Sequence, residues 1–187
     1  MKKTSDSREA FLALVRAGLW GDVMVNGYRL KFNDLPLVID YEEVLLLAEE
    51  QSVVGLVVAG FEKLKAYNLL LTEKLTLLGK CQLIEQRNEA MNRFIAELVG
   101  RLQDKDVNYV LVKGQGVAQC YERPNWRCAG DIDFLLDKEN YQKAKAVLIP
   151  LATEVEHEDK GRLHQGLKFG PWTVELHGTM HTGVPQR

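Results

Sequence analysis

Asp131 and Asp133 set two carboxylates one residue apart on a run that also carries Ile132, Phe134, Leu135 and Leu136. Ile132, Phe134 and Leu136 alternate with Asp131, Asp133 and Leu135, which is the period of a strand with both aspartates on one face and apolar residues on the other. At about 4 Å and an effective dielectric near 20, such a like-charge pair costs roughly 4 kcal/mol. A shared proton or a nearby cation offsets that cost, and a divalent metal held by hard oxygen ligands is the commonest solution. Upstream, Asn108 to Val112 is a short run rich in β-formers that ends at Lys113, Gly114, Gln115 and Gly116, a glycine-containing turn able to bring backbone N–H groups to a phosphate. Downstream, Val174 and Leu176 face one way while Glu175 and His177 face the other. If the strand carrying Glu175 lies beside the strand carrying the aspartates, three carboxylates converge, and such a set can hold one or two Mg²⁺ ions for phosphoryl transfer. Lys113 and Arg127 are then the cations for phosphate oxygens, Arg127 the more specific because its fork engages two oxygens at once.

These groups need stiff elements to position them. Ser7 to Leu19 predicts a first helix with Phe11, Leu14, Val15 and Leu19 on its apolar face and Asp6 or Ser7 as cap. Met24, Val25, Asn26, Gly27, Tyr28, Leu30 and Phe32 read as a small hairpin. Asp40 with Glu43 makes a capping box for a second helix, Ser52 to Tyr67 a third, and Thr72 to Gln103 a long one with Met91, Phe94, Ile95, Leu98, Val99 and Leu102 on one face. Beyond Val107 the period changes. Asn140 to Leu151 is helical, Thr153 to Glu156 is a short strand, His157 to Gln165 is a polar loop, and the runs 166–169 and 172–177 form a hairpin about Gly170 and Pro171. The division falls near Asp104 to Asn108, giving a helical region over 1–104 and a core over 105–187.

The chain of 187 residues carries a net charge of −2, so no global field draws it to nucleic acid or an anionic membrane. Cys81, Cys120 and Cys128 are odd in number and lack zinc-type spacing, which points to a reducing compartment with no disulfide partner and with Cys120 and Cys128 buried or half-buried. The N-terminus has no signal-peptide h-region, because Arg16, Trp20 and Asp22 interrupt the apolar stretch, and the run Val53 to Phe61 is too short to span a bilayer. The expectation is a cytoplasmic protein without a membrane partner. His177 and His181 stand four apart, weak evidence for zinc in a glycine-rich tail. Phe134, Leu135 and Leu136 exclude an EF-hand loop, Gly114 and Gly116 are too few for a dinucleotide fingerprint, and Trp126 and Trp172 read as packing residues.

Leu111, Val112, Lys113 and Gly114, then Arg127, Gly130, Asp131, Ile132 and Asp133, then Val174, Glu175, Leu176 and His177, together resemble the uncharacterised nucleotidyltransferase family of the polymerase-beta-like superfamily. The resemblance covers about Tyr109 to Gly178 and implies an α/β (α+β) fold, with a helical first half followed by a nucleotidyltransferase core built on a short mixed sheet. It implies transfer of a nucleoside monophosphate from an NTP to an acceptor, which is a small molecule, an RNA or a protein. By that likeness Asp131, Asp133 and Glu175 are catalytic ligands of Mg²⁺ or Mn²⁺, and Lys113, Gly114, Gln115, Arg127 and Gly130 belong to the nucleotide side. Two departures stand out. Gln115 takes the place of the serine usual after the turn glycine, and the chain stops at Arg187 where members continue, so the core is expected to be truncated at its C-terminus. Two other readings are a catalytically silent, antitoxin-like binding module on the same fold, and an Asp-x-Asp glycosyltransferase.

Overall fold

Two periodicities in the chain become two kinds of architecture in the computed structural model, which describes residues 3–20, 24–25, 28–29, 40–64 and 69–179. The fold is α+β, with six helices and a five-stranded mixed sheet among the described residues. The described residues of Met1–Asn88 with Cys120–Cys128 form one compact unit, and those of Glu89–Gln119 with Ala129–Arg187 form the other. No helix among the described residues is long and apolar enough to cross a membrane.

The first unit is helical. Helix α1 (Lys3–Trp20) begins upstream of Asp6 and Ser7, so the expected caps lie inside it, and Ser7 is buried. Strands β1 (Met24–Val25) and β2 (Tyr28–Arg29) pair antiparallel, Met24 with Arg29 and Val25 with Tyr28; Asn26, Gly27, Leu30 and Phe32 lie outside the described residues. Helix α2 (Tyr41–Glu50) starts at Asp40, whose carboxylate accepts from the Glu43 N–H at 3.2 Å. Helix α3 (Val54–Lys63) follows, and the long helix α4 (Leu71–Gln103) contributes Leu77 and Cys81 to the same core. Helices α1 and α3 meet through glycine. A Cβ on Gly18 would lie 2.0 Å from the Leu56 carbonyl oxygen, and one on Gly60 2.1 Å from that of Leu14. The buried face of α1 is therefore Ala10, Leu14, Ala17 and Gly18, while Phe11 and Val15 are half-buried and Leu19 is exposed. The expected face is rotated toward the small residues because those allow the backbones to approach.

The second unit is a sheet with one apolar face. Strands β3 (Val110–Val112), β4 (Asp131–Leu135), β5 (Glu154–Val155), β6 (His164–Phe169) and β7 (Trp172–His177) lie in the order β3-β4-β7-β6-β5. Only β4 and β7 are parallel; the other neighbours are antiparallel. Helix α5 (Lys113–Ala118) follows β3, and helix α6 (Lys138–Leu148), capped by Asp137 through the Asn140 N–H at 2.8 Å, follows β4. Ile132, Phe134, Leu167, Val174 and Leu176 are essentially fully buried with Tyr141, Ala144 and Leu148 of α6 and with Met91, Leu98 and Leu102 of α4. Each such side chain contributes about 1.5–3 kcal/mol by leaving water, so the alternation in β4 and β7 is strongly held with its polar face outward.

Candidate functional site

The site grows from one register. Asp133 is paired with Val112 of antiparallel β3 on one side and with Glu175 of parallel β7 on the other. Opposite residues share a face, so the Asp133 and Glu175 carboxylates stand on neighbouring strands, and Asp131 lies one pleat along the same face opposite Thr173. Lys113 follows Val112 directly, which brings its ammonium to the pair. Its Nζ donates to Asp133 Oδ1 at 2.6 Å and lies 3.8 Å from Glu175 Oε2.

The turn that aims Lys113 has unusual backbone. Lys113 adopts φ 49°, in the left-handed region, and Gly114 adopts φ 12°, ψ −115°, breaking the helical path at the start of α5. A Cβ on Gly114 would come within 2.8 Å of the Asp131 carbonyl oxygen, so any side chain there pushes on the first residue of β4. Glycine is needed at this turn for close approach to the strand.

His177 closes the other side. Its Nε2 is 2.9 Å from Asp133 Oδ1 and 3.2 Å from Glu175 Oε2, and His164 Nε2, across the β6–β7 hairpin, is 3.6 Å from the same Glu175 oxygen. Burial pushes the Asp133 carboxyl up, but hydrogen bonds with His177 and Lys113 and the charges behind them outweigh it and hold the group below the usual carboxylate range. The Lys113 ammonium is pushed up by its hydrogen bond to Asp133 and by the charges of Asp133, Glu175 and Asp131, against a smaller opposing effect of burial. A buried carboxylate, a half-buried one and an exposed one thus stand with two imidazoles around one lysine ammonium; the carboxylates and imidazoles are groups that could ligate a divalent cation in its place.

Residues 38–186 match the family described as uncharacterised nucleotidyltransferase. The chain belongs to that family. No curated protein and no solved structure matches it. In this nucleotidyltransferase-family chain the residues singled out from sequence fall in different places. Asp133, Glu175 and Lys113 come into direct contact, and Asp131 is exposed beside them. Gly130 is exposed immediately before β4 with open space around its Cα. Gln115 is buried, its amide Nε2 donating to Met91 Sδ at 3.6 Å. Arg127 ends a 3₁₀ turn in the helical unit, where its carbonyl accepts from Asn88 Nδ2 at 2.7 Å. Trp126 packs in the helical core with its indole N–H on Glu85 at 2.8 Å, and Trp172 stacks on Phe94, both as packing residues. His181 lies outside the described residues.

His164 was hidden in the sequence by the polar run 157–165, expected as a loop. The structure instead starts β6 at His164 and closes the preceding turn with Asp159, whose carboxylate accepts from the Gly161 and Arg162 N–H groups at 3.0 and 3.1 Å. The signal was the turn itself. Counting outward from Gly170 and Pro171 pairs Phe169 with Trp172 and, further out, His164 with His177. The cysteines are all free, and Cys120 is exposed rather than buried or half-buried because it lies in the short segment between α5 and the 3₁₀ turn.

Proposed function

We propose that the chain is a metal-dependent nucleotidyltransferase that moves a nucleoside monophosphate from an NTP to an acceptor hydroxyl. The observation that carries this reading is the pairing of Asp133 with Glu175 on adjacent parallel strands, with one cationic group shared between them. The donor set fits a divalent ion, since two carboxylates already converge on an ammonium and Asp131 stands free beside them on the same face. Asp131, Asp133 and Glu175 would hold Mg²⁺ or Mn²⁺. When bound, the ion supplies charge neutralisation for the triphosphate and for the attacking oxygen.

Lys113 is the partner open to a ligand in this arrangement, because its side chain is 62% exposed while that of Asp133 is 3% exposed. Released from Asp133, it reaches phosphate oxygens without losing charge. On the family resemblance the Gly114–Gln115 turn, which follows β3, and Gly130, which directly precedes β4, orient the triphosphate. In the reaction the acceptor oxygen forms a bond to the α-phosphorus as the bond to the bridging oxygen breaks, and pyrophosphate leaves with its electron pair. The acceptor proton passes to a carboxylate or to water.

The test is calorimetry with each NTP, with and without Mg²⁺, followed by radiolabelled NTP added to lysate. Asp131→Asn and Asp133→Asn are expected to keep the fold and to lower metal-dependent binding and label transfer by about a hundredfold or more. Unchanged binding and transfer in both variants overturns the reading. A metal-independent partner with no nucleotide heat instead supports the silent module, and label from a nucleotide sugar supports the glycosyltransferase.

A further inference from the structure

We infer that His164, His177 and Glu175 form a second metal position, selective for a borderline divalent transition metal of the zinc type. Each of the three offers one ligand atom, and these atoms lie within 4.8 Å of one another. Ligands held 2.0–2.2 Å from a tetrahedral Zn²⁺ stand about 3.3–3.6 Å apart. The separations of His164 Nε2 and His177 Nε2 from Glu175 Oε2 are 3.6 and 3.2 Å, so both imidazoles already stand at ligand spacing from the carboxylate. The two rings are neighbours across the hairpin, with centroids 5.0 Å apart and planes tilted by 45°.

The backbone explains why the set is rigid. His164 and His177 are cross-strand partners in the hairpin, Glu175 is two residues from His177 on the same face, and Gly166 opposite Glu175 leaves room that the Glu156 carboxylate fills, 2.3 Å from where a Gly166 Cβ would stand. All three side chains are between 21 and 34% exposed, which leaves an open coordination position toward solvent. Two imidazoles and one carboxylate are the donor set of catalytic zinc sites, whereas the oxygen-only set Asp131, Asp133 and Glu175 suits Mg²⁺. The site shares Glu175 with the proposed transferase centre but goes beyond that reading, because capture of a metal by imidazoles requires no nucleotide.

The test uses the purified full chain stripped of metal, titrated with Zn²⁺ against a chromophoric chelator in excess Mg²⁺. One Zn²⁺ per chain is expected, still bound in the excess of Mg²⁺ because two of its three ligands are imidazoles that Mg²⁺ does not favour. His164→Ala and His177→Ala each weaken it by about a hundredfold or more, a larger effect than loss of an outer-shell partner. Asp131→Asn leaves Zn²⁺ affinity unchanged while removing Mg²⁺-dependent nucleotide binding, so a failure of the zinc position and a failure of the transferase reading are separable. Ring-nitrogen NMR of the wild-type chain gives an answer independent of how the variants fold: the His164 and His177 resonances shift together on addition of Zn²⁺. Absence of saturable Zn²⁺ binding, binding that His164→Ala leaves unchanged, or binding without those two shifts overturns the proposal.

Discussion

Lys113 and Asp133 make the contact on which the site's electrostatics turn, and their titration gives it a pH signature. A group held below its ordinary range, as Asp133 is, contributes stability that is present above its unfolded value and is lost as pH falls through its lower folded value. A group held above its range, as Lys113 is, contributes stability present below its unfolded value and lost as pH rises through its higher folded value. Lys113→Met removes one partner from a buried carboxylate, and because the lysine is largely exposed the cost is about 1 kcal/mol. The difference between wild type and Lys113→Met is expected to be level between about pH 4 and pH 10, set by the unfolded carboxylate and ammonium values, and to shrink on both sides. Urea denaturation across that range measures it, and a difference that grows in acid contradicts the pairing. At this scale the facing of Asp133, Glu175 and His177 was legible, because strand alternation is a local property. His164 was not, because a polar run carries no apolar alternation to announce a strand.

Helices α1 and α3 show how an element can be legible while its packing face is not. The periodicity of Leu14 was visible, yet the contact is made by Gly18 and Gly60, which an apolar period does not single out. Gly60→Ala forces a Cβ against the Leu14 carbonyl and is expected to destabilise by about 2 kcal/mol or more. Gly79→Ala in α4 meets open space and is expected to stabilise by about 0.5–1 kcal/mol through helix propensity alone. Chemical denaturation of both variants separates the two roles of glycine; equal effects contradict this packing. The N-cap half of the box at Asp40, the cap at Asp137 and the turn at Gly170, with φ +57°, were all legible because each is set by a few neighbouring residues.

At the level of the whole molecule the cysteines all belong to the helical unit, and they sample it at different depths. Cys120 is exposed, burial pushes the Cys128 thiol up, and burial with the Glu85 and Glu62 charges pushes Cys81 up to about 12. One thiol is therefore expected to react with an alkylating reagent at neutral pH in the native protein, and the other two only as the helical unit opens. Mass spectrometry during a denaturant titration reads this directly, and prompt labelling of Cys81 contradicts it. Trp172 lies in the other unit, so its fluorescence follows the sheet and the thiols follow the helices. The division into units is not a single cut near residue 104. Glu89 onward in α4 joins the sheet unit and Cys120–Cys128 returns to the helical one, which a change of periodicity along the chain cannot reveal. By itself the sequence determined the α+β class, the family and the face of its strand on which each acidic residue stands, because those follow from local periods and short motifs. Tertiary structure alone decided that β4 and β7 lie side by side and parallel, that Asp133 meets Glu175, and that His164 joins them. Pairing between strands remote in the chain is chosen by burial of one shared apolar face, and no residue carries that choice on its own.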